Sequence, residues 1–328
     1  MEHPVQIPSI RAGSRFKNPE KQSHGFADVL KWLFNRKRAR WPKWIDSKPG
    51  PAPVFRVTGN EVRVTFVNHS TLLIQVDGLN FLTDPIWSDR AGPVSFVGAK
   101  RIRAPGLNFE ELPPIDAVLV SHNHYDHMDI QTLKALEKKS SPLFLTGLGN
   151  RKFLEKKGLR RVEELDWWEK TSLSNGKGVF FVPAQHFSGR MPWNIDKSLW
   201  GGFVIQSSHG QIYFAGDTGF GKFVEEIHQN FSNIKVALLP IGAYEPRWFM
   251  SPIHMDPADA VHAHQILKPG LSIGIHIGTF HLADEGINAP AEQLQKNLGE
   301  NGVDRGEFIV LDPGETVTVP LPEESPTG

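Results

Sequence analysis

The segment at residues 121–129 constrains the fold of this chain more than any other. It reads SHNHYDHMD and directly follows IDAVLV, an apolar run typical of a buried strand. Side chains two residues apart in an extended segment point the same way, so His122 and His124 can bind one metal ion together. Asp126 and His127 follow where the chain turns towards a helix, within reach of a second ion. A solvated loop or a helix cap explains one histidine but not this cluster, so the segment predicts a metal site.

Three later residues with metal-binding side chains each end an apolar strand. His186 follows GVFFVPAQ, Asp217 follows QIYFAG and His276 follows LSIGI. Taken singly, each is as easily a turn residue or a hydrogen-bonded core histidine, but their shared position predicts that they converge at one edge of the sheets. Asp217 is then expected to bridge two ions. The expected ligands are His122, His124 and His186 for one ion, and Asp126, His127 and His276 for the other.

Composition narrows the classes of protein to consider. The 328 residues are 39% hydrophobic, carry no formal net charge and include no cysteine. Disulfides, cysteine-based zinc sites and iron–sulfur clusters are therefore excluded. The charge balance argues against a nucleic-acid partner. The first residues do not resemble a secretory signal, and no apolar run is long enough to span a membrane, so we expect a cytoplasmic protein. Association with the inner membrane surface stays open.

The pattern along the chain predicts an arm followed by one α/β domain. Residues 1–53 are basic and proline-rich, with an amphipathic helix candidate, FADVLKWLFNRKRARW, and a linker, DSKPGPAP. That helix can lie on a membrane surface, remain solvated or pack on the domain. Residues 54–328 alternate short strands, with breaks at Asn68 and Asp77-Gly78, and helices begun by Asp129 and Asp256 or closed by Gly299. Two mixed sheets with helices on their outer faces are expected.

Several stretches of this domain resemble one enzyme family. FLTDPIWS, SHNHYDH, FAGDTGF and LLPIGAYEPRWFM are similar to the N-acyl-phosphatidylethanolamine-hydrolysing phospholipase D family of the metallo-β-lactamase superfamily, with a bacterial-type member expected. The resemblance covers about residues 62–311 and leaves residues 1–50 aside. It implies an αββα sandwich, two zinc ions on the seven ligands named above, and a homodimer. Iron or manganese would also accept these ligands.

The resemblance also implies a reaction and further site residues. A hydroxide held between the ions is expected to attack phosphorus and release N-acylethanolamine and phosphatidic acid, with Asp126, Asp217 and His254 as catalytic residues. His254 would donate a hydrogen bond to the phosphate or protonate the leaving alkoxide. Asp84 would orient a ligand histidine from behind. One rival is a lactonase or another hydrolase of the superfamily acting on a soluble substrate in a narrow polar pocket; another is a metal-bearing binding protein without activity.

Residues for the substrate itself are expected next to the predicted ligands. Arg247 suits a phosphate group, and Tyr244 and Trp248 in the same stretch suit an acyl chain, as does Tyr125 within the histidine cluster. A wide apolar groove would indicate a phospholipid or similar amphipathic substrate. His69 is expected either to support a ligand from behind or to be a turn residue, and the turn is the favoured interpretation.

Overall fold

The computed structural model describes residues 7–20, 25–174 and 176–320. Its strands, in chain order, are β1 (Ile10–Ala12), β2 (Arg15–Lys17), β3 (Glu61–Asn68), β4 (Thr71–Val76), β5 (Leu79–Thr83), β6 (Arg90–Ala91), β7 (Ala99–Lys100), β8 (Ala117–Val120), β9 (Leu143–Gly147), β10 (Val162–Leu165), β11 (Lys170–Ser172), β12 (Gly178–Val182), β13 (Gly202–Ser207), β14 (Gly210–Phe214), β15 (Ile234–Pro240), β16 (Leu271–Ile275), β17 (Phe308–Ile309) and β18 (Thr316–Pro320). Its helices are α1 (Phe26–Asn35), α2 (Ile130–Lys139), α3 (Arg151–Lys156), α4 (Phe223–Asn230), α5 (Arg247–Met250), α6 (Pro257–Leu267) and α7 (Ala289–Glu300).

Two seven-stranded sheets of the same construction form the body of the molecule. The first has the order β10-β9-β8-β5-β4-β3-β18 and the second β11-β12-β13-β14-β15-β16-β17. In each sheet the strands on one side pair antiparallel and those on the other side pair parallel. Helices form most of the crossovers between parallel strands, whereas β5 and β8 are connected through β6 and β7. The prediction of two mixed sheets with helices is confirmed.

The central strands of the first sheet, β4, β5 and β8, are buried on both faces. On β4, Leu72 and Ile74 belong to the large cluster shared by both sheets, whereas Leu73 belongs to a second cluster. That second cluster includes Leu133 and Leu136 of α2. Because side chains alternate along a strand, one face of the sheet packs on the other sheet and the opposite face packs under α2. This explains why these strands are continuously apolar in sequence.

Most of the strand ends and helix starts predicted from the sequence agree with the structure. β3 ends at Asn68, and Asp77-Gly78 forms the turn between β4 and β5. The Asp129 side chain accepts a hydrogen bond from the Gln131 backbone N–H at the start of α2, and Asp256 accepts one from Asp259 at the start of α6. Each cap satisfies a backbone donor that the first helical turn leaves unpaired.

The first helix is shorter than its sequence predicts. Helical spacing suggests residues 26–41, but α1 ends at Asn35. Asp284 explains the difference: its carboxylate accepts from Arg36 Nε at 2.8 Å and from the Lys37 backbone N–H at 3.1 Å, and its carbonyl accepts from the Ala39 N–H at 2.8 Å. These bonds hold residues 36–39 in an extended course along the domain.

The N-terminal segment packs on the domain. Phe16 is buried within the cluster shared by the two sheets, and the Trp32 ring stacks on Phe249 at 4.8 Å between centroids. The predicted helix therefore packs on the domain, which is one of the three alternatives given above. The domain boundary at residue 53 stays a prediction. Within the described parts of the chain, none of the helices has the length and hydropathy needed to cross a membrane.

Candidate active site

Loops at one edge of the two sheets carry the predicted ligands. His122 lies two residues beyond the end of β8, and His276 follows β16 directly. His186 lies four residues beyond β12, and Asp217 three beyond β14. The first sheet thus contributes the HNHYDH segment and the second sheet contributes the three later residues. The strand ends converge as predicted, and the seven side chains lie in one cluster in which most of them are buried.

One part of this cluster consists of three histidine rings. His122 Nε2 lies 2.8 Å from His124 Nδ1, which lies 3.3 Å from His186 Nε2. The other ring nitrogens of His122 and His186 are engaged behind the site: His122 Nδ1 donates to Ser121 Oγ at 2.9 Å, and His186 Nδ1 donates to the Ile253 carbonyl at 2.9 Å. The lone pairs of both Nε2 atoms therefore face the cluster, as metal binding requires.

Asp217 lies between these histidines and a second group. Its Oδ2 is 3.1 Å from the Nε2 atoms of both His127 and His276. The same oxygen is 3.9 Å from His186 Nε2. Asp126 Oδ2 approaches His127 Nε2 at 3.3 Å and His276 Nε2 at 3.7 Å. Asp217 thus lies between the two predicted ligand sets, and the division of the ligands between two ions stays a prediction.

The donor atoms of this cluster fit a pair of metal ions. His127 Nε2, His276 Nε2 and Asp217 Oδ1 are buried and form no hydrogen bond with the described residues. Buried polar atoms are normally satisfied, so three unsatisfied ligand-type atoms in one cluster fit a site for cations. The ligand atoms of His122, His124 and His186 lie within 4.8 Å of one another. The same holds for a group formed by His69, Asp126, His127 and His276. Two such groups of imidazole nitrogens and carboxylate oxygens suit a dinuclear metal site.

Electrostatics favour the same interpretation. Burial lowers the pKa of His124 to about 3 and of His186 to about 4, so both rings are neutral near pH 7, the form that binds a metal. Burial would raise the pKa of Asp217, but the His127 and His276 charges outweigh burial and hold it well below its usual range. In the metal-free protein, His276 has its pKa raised to about 9 because Asp217 and Asp126 outweigh burial. Protons on the histidines thus provide positive charge where cations would bind.

Asp84 supports the ligands from behind, at the end of β5. Its carboxylate accepts from the Ser121 backbone N–H at 2.7 Å, from Ser121 Oγ at 2.6 Å and from His127 Nδ1 at 2.7 Å. The last bond fixes the His127 ring with Nε2 towards Asp217. Asp84 therefore lies where an orienting carboxylate is expected.

The cluster forms the floor of a wide cavity of about 970 Å³. This volume is at the top of the ~300–1,000 Å³ range of small-molecule sites. His254 and Tyr125 reach it as expected; the His254 ring centroid lies 5.1 Å from that of His186, and Tyr125 Oη donates to the Arg190 carbonyl at 2.8 Å. Most of the walls are apolar, formed by Phe16, Val29, Trp32, Ala91, Ala99, Tyr125, Phe187, Ile195, Trp200, Ala243, Phe249, Met250, Ile253, Leu282 and Ala283.

Three predicted substrate residues do not line this cavity. Arg247 binds Asp256 at 3.0 Å and Asp259 at 2.6 Å, and its Nη1 donates to the His254 carbonyl at 2.9 Å. The Arg247 guanidinium thus binds groups at the start of α6. The prediction that it binds the substrate phosphate stays untested, and these contacts argue against it. Tyr244 is buried behind the cavity, and Trp248 lies partly exposed under the Lys31 ammonium.

His69 has a larger part in the site than a turn residue. It directly follows β3, is fully buried, and its Nε2 donates to Asp126 Oδ2 at 3.1 Å. Its ring packs on His276 with centroids 4.1 Å apart. The interpretation as a turn residue is therefore incomplete. The strand-end rule that found the other histidines also applies to His69 and would have indicated it.

Comparisons with known proteins place the chain in a family. Residues 79–277 match the β-lactamase superfamily domain. The N-acyl-phosphatidylethanolamine-hydrolyzing phospholipase D 1 of Caenorhabditis elegans is 32% identical over 331 residues, covering 93% of each chain. The mitochondrial N-acyl-phosphatidylethanolamine-hydrolyzing phospholipase D of Saccharomyces cerevisiae is 34% identical over 262 residues, covering 77% of this chain and 56% of the yeast protein.

A solved structure agrees on the fold. A metallo hydrolase from the archaeon Ignicoccus hospitalis superposes with a TM-score of 0.60 at 26% identity, covering 79% of this chain and 98% of the archaeal chain. The two mixed sheets, the His/Asp cluster and the long alignments agree with one another. The chain therefore belongs to the β-lactamase superfamily of metal-dependent hydrolases and, within it, to the N-acyl-phosphatidylethanolamine-hydrolysing phospholipase D family.

Proposed function

We propose that this protein is a dinuclear zinc phosphodiesterase that cleaves N-acyl-phosphatidylethanolamine or a related phospholipid to N-acylethanolamine and phosphatidic acid. One observation carries the proposal: a wide, mostly apolar cavity opens directly over the His/Asp cluster. An apolar wall favours acyl chains, and the cluster at its floor favours the charged phosphodiester. The narrow polar pocket expected of a lactonase differs from this cavity, which is the argument for the lipid over that rival.

The proposed metal ligands are the seven converging residues, in the two sets that Asp217 joins. Zinc ions held there would supply positive charge for the phosphate oxygens and lower the pKa of a water molecule. Asp84 and His69 keep His127 and Asp126 in place through the hydrogen bonds described above. Most of these ligand side chains are buried, which strengthens the electrostatic interactions among them.

His254 is proposed to contact the phosphate. Its Nδ1 is buried and has no partner among the described residues, while the Arg247 guanidinium holds its carbonyl. Burial keeps the pKa of His254 well below 6.5, so the ring is neutral near pH 7. A neutral imidazole supports hydrogen-bond donation to a phosphate oxygen better than proton transfer to the leaving alkoxide. Arg247 then acts through His254.

Membrane contact, a homodimer and a cytoplasmic location at the inner membrane surface complete the proposal. Membrane contact is supported by α1, which lines the cavity with Val29 and Trp32 and leaves 52% of Leu33 and 85% of Phe34 exposed. An apolar helix surface beside the cavity suits a lipid substrate that must leave a bilayer.

The proposal is tested by offering the zinc-loaded protein three substrates in parallel: the phospholipid in detergent micelles, a small soluble phosphodiester and a lactone. We expect release of N-acylethanolamine and phosphatidic acid, detected by mass spectrometry, at a rate well above that on the soluble compounds. Asp217→Asn should abolish turnover while circular dichroism shows a folded chain. Faster turnover of the lactone, with two ions bound, would replace the proposed substrate.

A further inference from the structure

Asn18, in the N-terminal segment, binds the backbone of His186. Asn18 Nδ2 donates to the His186 carbonyl at 2.7 Å, and the His186 backbone N–H donates to Asn18 Oδ1 at 3.1 Å. Trp200 Nε1, on the cavity wall, also donates to Asn18 Oδ1 at 2.9 Å. A single carboxamide thus pairs with both backbone groups of a proposed metal ligand that is 168 residues away in sequence.

His186 needs such support because it lies outside any strand. β12 ends at Val182, and His186 follows in a loop where Gln185 forms a bridge with Gly219. The Asn18 carboxamide offers one donor and one acceptor, as a neighbouring strand would. The ring is fixed separately by the bond from Nδ1 to the Ile253 carbonyl. Backbone and ring together determine where His186 Nε2 lies relative to His124.

The segment that presents Asn18 is anchored on both sides. Before it, Phe16 is buried in the main core and its N–H donates to the Asp196 carbonyl at 2.7 Å. After it, Glu20 Oε1 accepts from the Lys222 backbone N–H at 2.8 Å. Phe16, Asn18 and Glu20 also line the cavity above the His/Asp cluster. Asn18 is therefore held by the fold rather than carried on a free arm.

We infer that Asn18 is a positioning residue for the ion bound by His122, His124 and His186, and that the N-terminal segment is part of the active site. This inference rests on the proposed metal centre and not on the proposed substrate. Losing Asn18 leaves two backbone groups of His186 without this partner, so the backbone that carries the imidazole is less firmly fixed and only the bond to Ile253 still holds the ring. The ion held by Asp126, His127 and His276 has no such dependence.

The test is a titration of the full-length metal-free protein with cobalt(II), followed by visible absorption, and with zinc against a chromogenic chelator. In Asn18→Ala we expect one of the two ions to bind ~10–100-fold more weakly, the usual cost of losing a residue that supports a ligand. The other ion keeps its affinity. His186→Ala and His276→Ala give the reference spectra of proteins lacking one or the other ion, and the weakened ion should be the one lost in His186→Ala.

Two further variants make the test specific. Asn18→Asp keeps an acceptor for the His186 N–H and for Trp200 but has no donor for the His186 carbonyl, so the same ion should weaken even if Asn18→Ala folds poorly. Arg15→Ala alters an exposed residue of β2 that does not line the cavity and should bind both ions normally. Wild-type affinity for both ions in the Asn18 variants, or equal weakening of both, would overturn the inference. Failure to cleave the phospholipid, with selective metal loss retained, would remove only the proposed substrate.

Discussion

Three residues in or beside the His/Asp cluster adopt a left-handed backbone that favours glycine. His69 has φ 49°, Asp84 φ 32° and His276 φ 62°, and each directly follows a strand. Such conformations cost ~1–3 kcal/mol each and persist where surrounding contacts enforce them. Here the contacts are visible: the His276 N–H donates to the His69 carbonyl at 2.9 Å, and the His69 N–H donates to Thr279 Oγ1 at 3.0 Å. The turns direct these side chains towards the cluster.

Asp84 is not one of the proposed metal ligands, but its carboxylate orients the proposed ligand His127. Replacing it should therefore disturb metal binding while all seven proposed ligands remain. All three of its bonds come from N–H or O–H donors, so in Asp84→Asn the new amide NH₂ faces a donor. His127 loses its fixed orientation, and we expect kcat/KM to fall ~10–100-fold with weaker binding of one ion. Asp116→Asn is the control, because Asp116 accepts from Asn80 at the opposite end of β5 and should leave metal binding intact. An unchanged kcat/KM in Asp84→Asn would contradict this role.

His69 is expected to act through Asp126. Burial lowers the pKa of His69 to about 4, so the ring is neutral and Nε2–H donates to Asp126 at 3.1 Å. His69→Phe removes the donor and should lower kcat/KM about 10-fold. His69→Gln places an amide donor near the same point and should recover part of the activity. Equal activity of the two variants, measured on the same substrate, would show that the hydrogen bond has no role.

At the scale of elements, one carboxylate decides where α1 ends. The Asp284 side chain is nearly buried and the Arg36 side chain is mostly buried. Exposed ion pairs contribute ~0–1 kcal/mol to stability, and breaking a buried pair costs ~3–5 kcal/mol. The cost of breaking this pair should fall between these values. Asp284→Ala should therefore lower the free energy of unfolding by about 2–3 kcal/mol in urea titrations. Glu155→Ala, which breaks the exposed pair with Arg151, should change it by less than about 0.5 kcal/mol. Similar losses in both variants would contradict this account of the element.

The exposed side of α1 leads to a prediction about membranes. Replacing Leu33 and Phe34 by Asp should weaken co-sedimentation with anionic vesicles, because two apolar side chains lose their favourable transfer into lipid. Phe55 is 68% exposed, and its carbonyl accepts from Asn80 at the opposite end of β5 from the site, so Phe55→Asp should bind vesicles normally. Equal binding by both variants would exclude α1 as the contact.

At the scale of the whole molecule, the sequence predicts the parts that depend on local pattern. Strand ends can be located from apolar runs, and because both sheets end at one edge, the seven ligands could be brought together without a structure. Arg247 and Asn18 could not be assigned in this way. Arg247 binds acids of α6 rather than a ligand, and Asn18 meets His186 across 168 residues with no periodic signal. Such contacts depend on how the finished elements pack.

The packed core also predicts how the molecule responds to metal removal. A large apolar cluster joins both sheets without any ligand residue, so a chelator should abolish turnover and leave the circular dichroism of the fold intact. Without metal, the raised pKa of His276, about 9, stabilises the folded state below pH 6.5, and this contribution is lost as pH rises through 9. The lowered pKa values of His124 and His186 destabilise it in acid. Thermal unfolding of metal-free protein should therefore show maximal stability near pH 6.5–7; rising stability up to pH 10 would contradict this.

The most direct test of the account is to follow the oxygen that water contributes to the products. The zinc-loaded protein is incubated with N-acyl-phosphatidylethanolamine in water enriched in oxygen-18, and both products are weighed by mass spectrometry. Attack on phosphorus with cleavage on the ethanolamine side predicts phosphatidic acid carrying one heavy oxygen and N-acylethanolamine carrying none. A labelled N-acylethanolamine, or release of labelled fatty acid, would contradict a phosphodiesterase at this metal cluster.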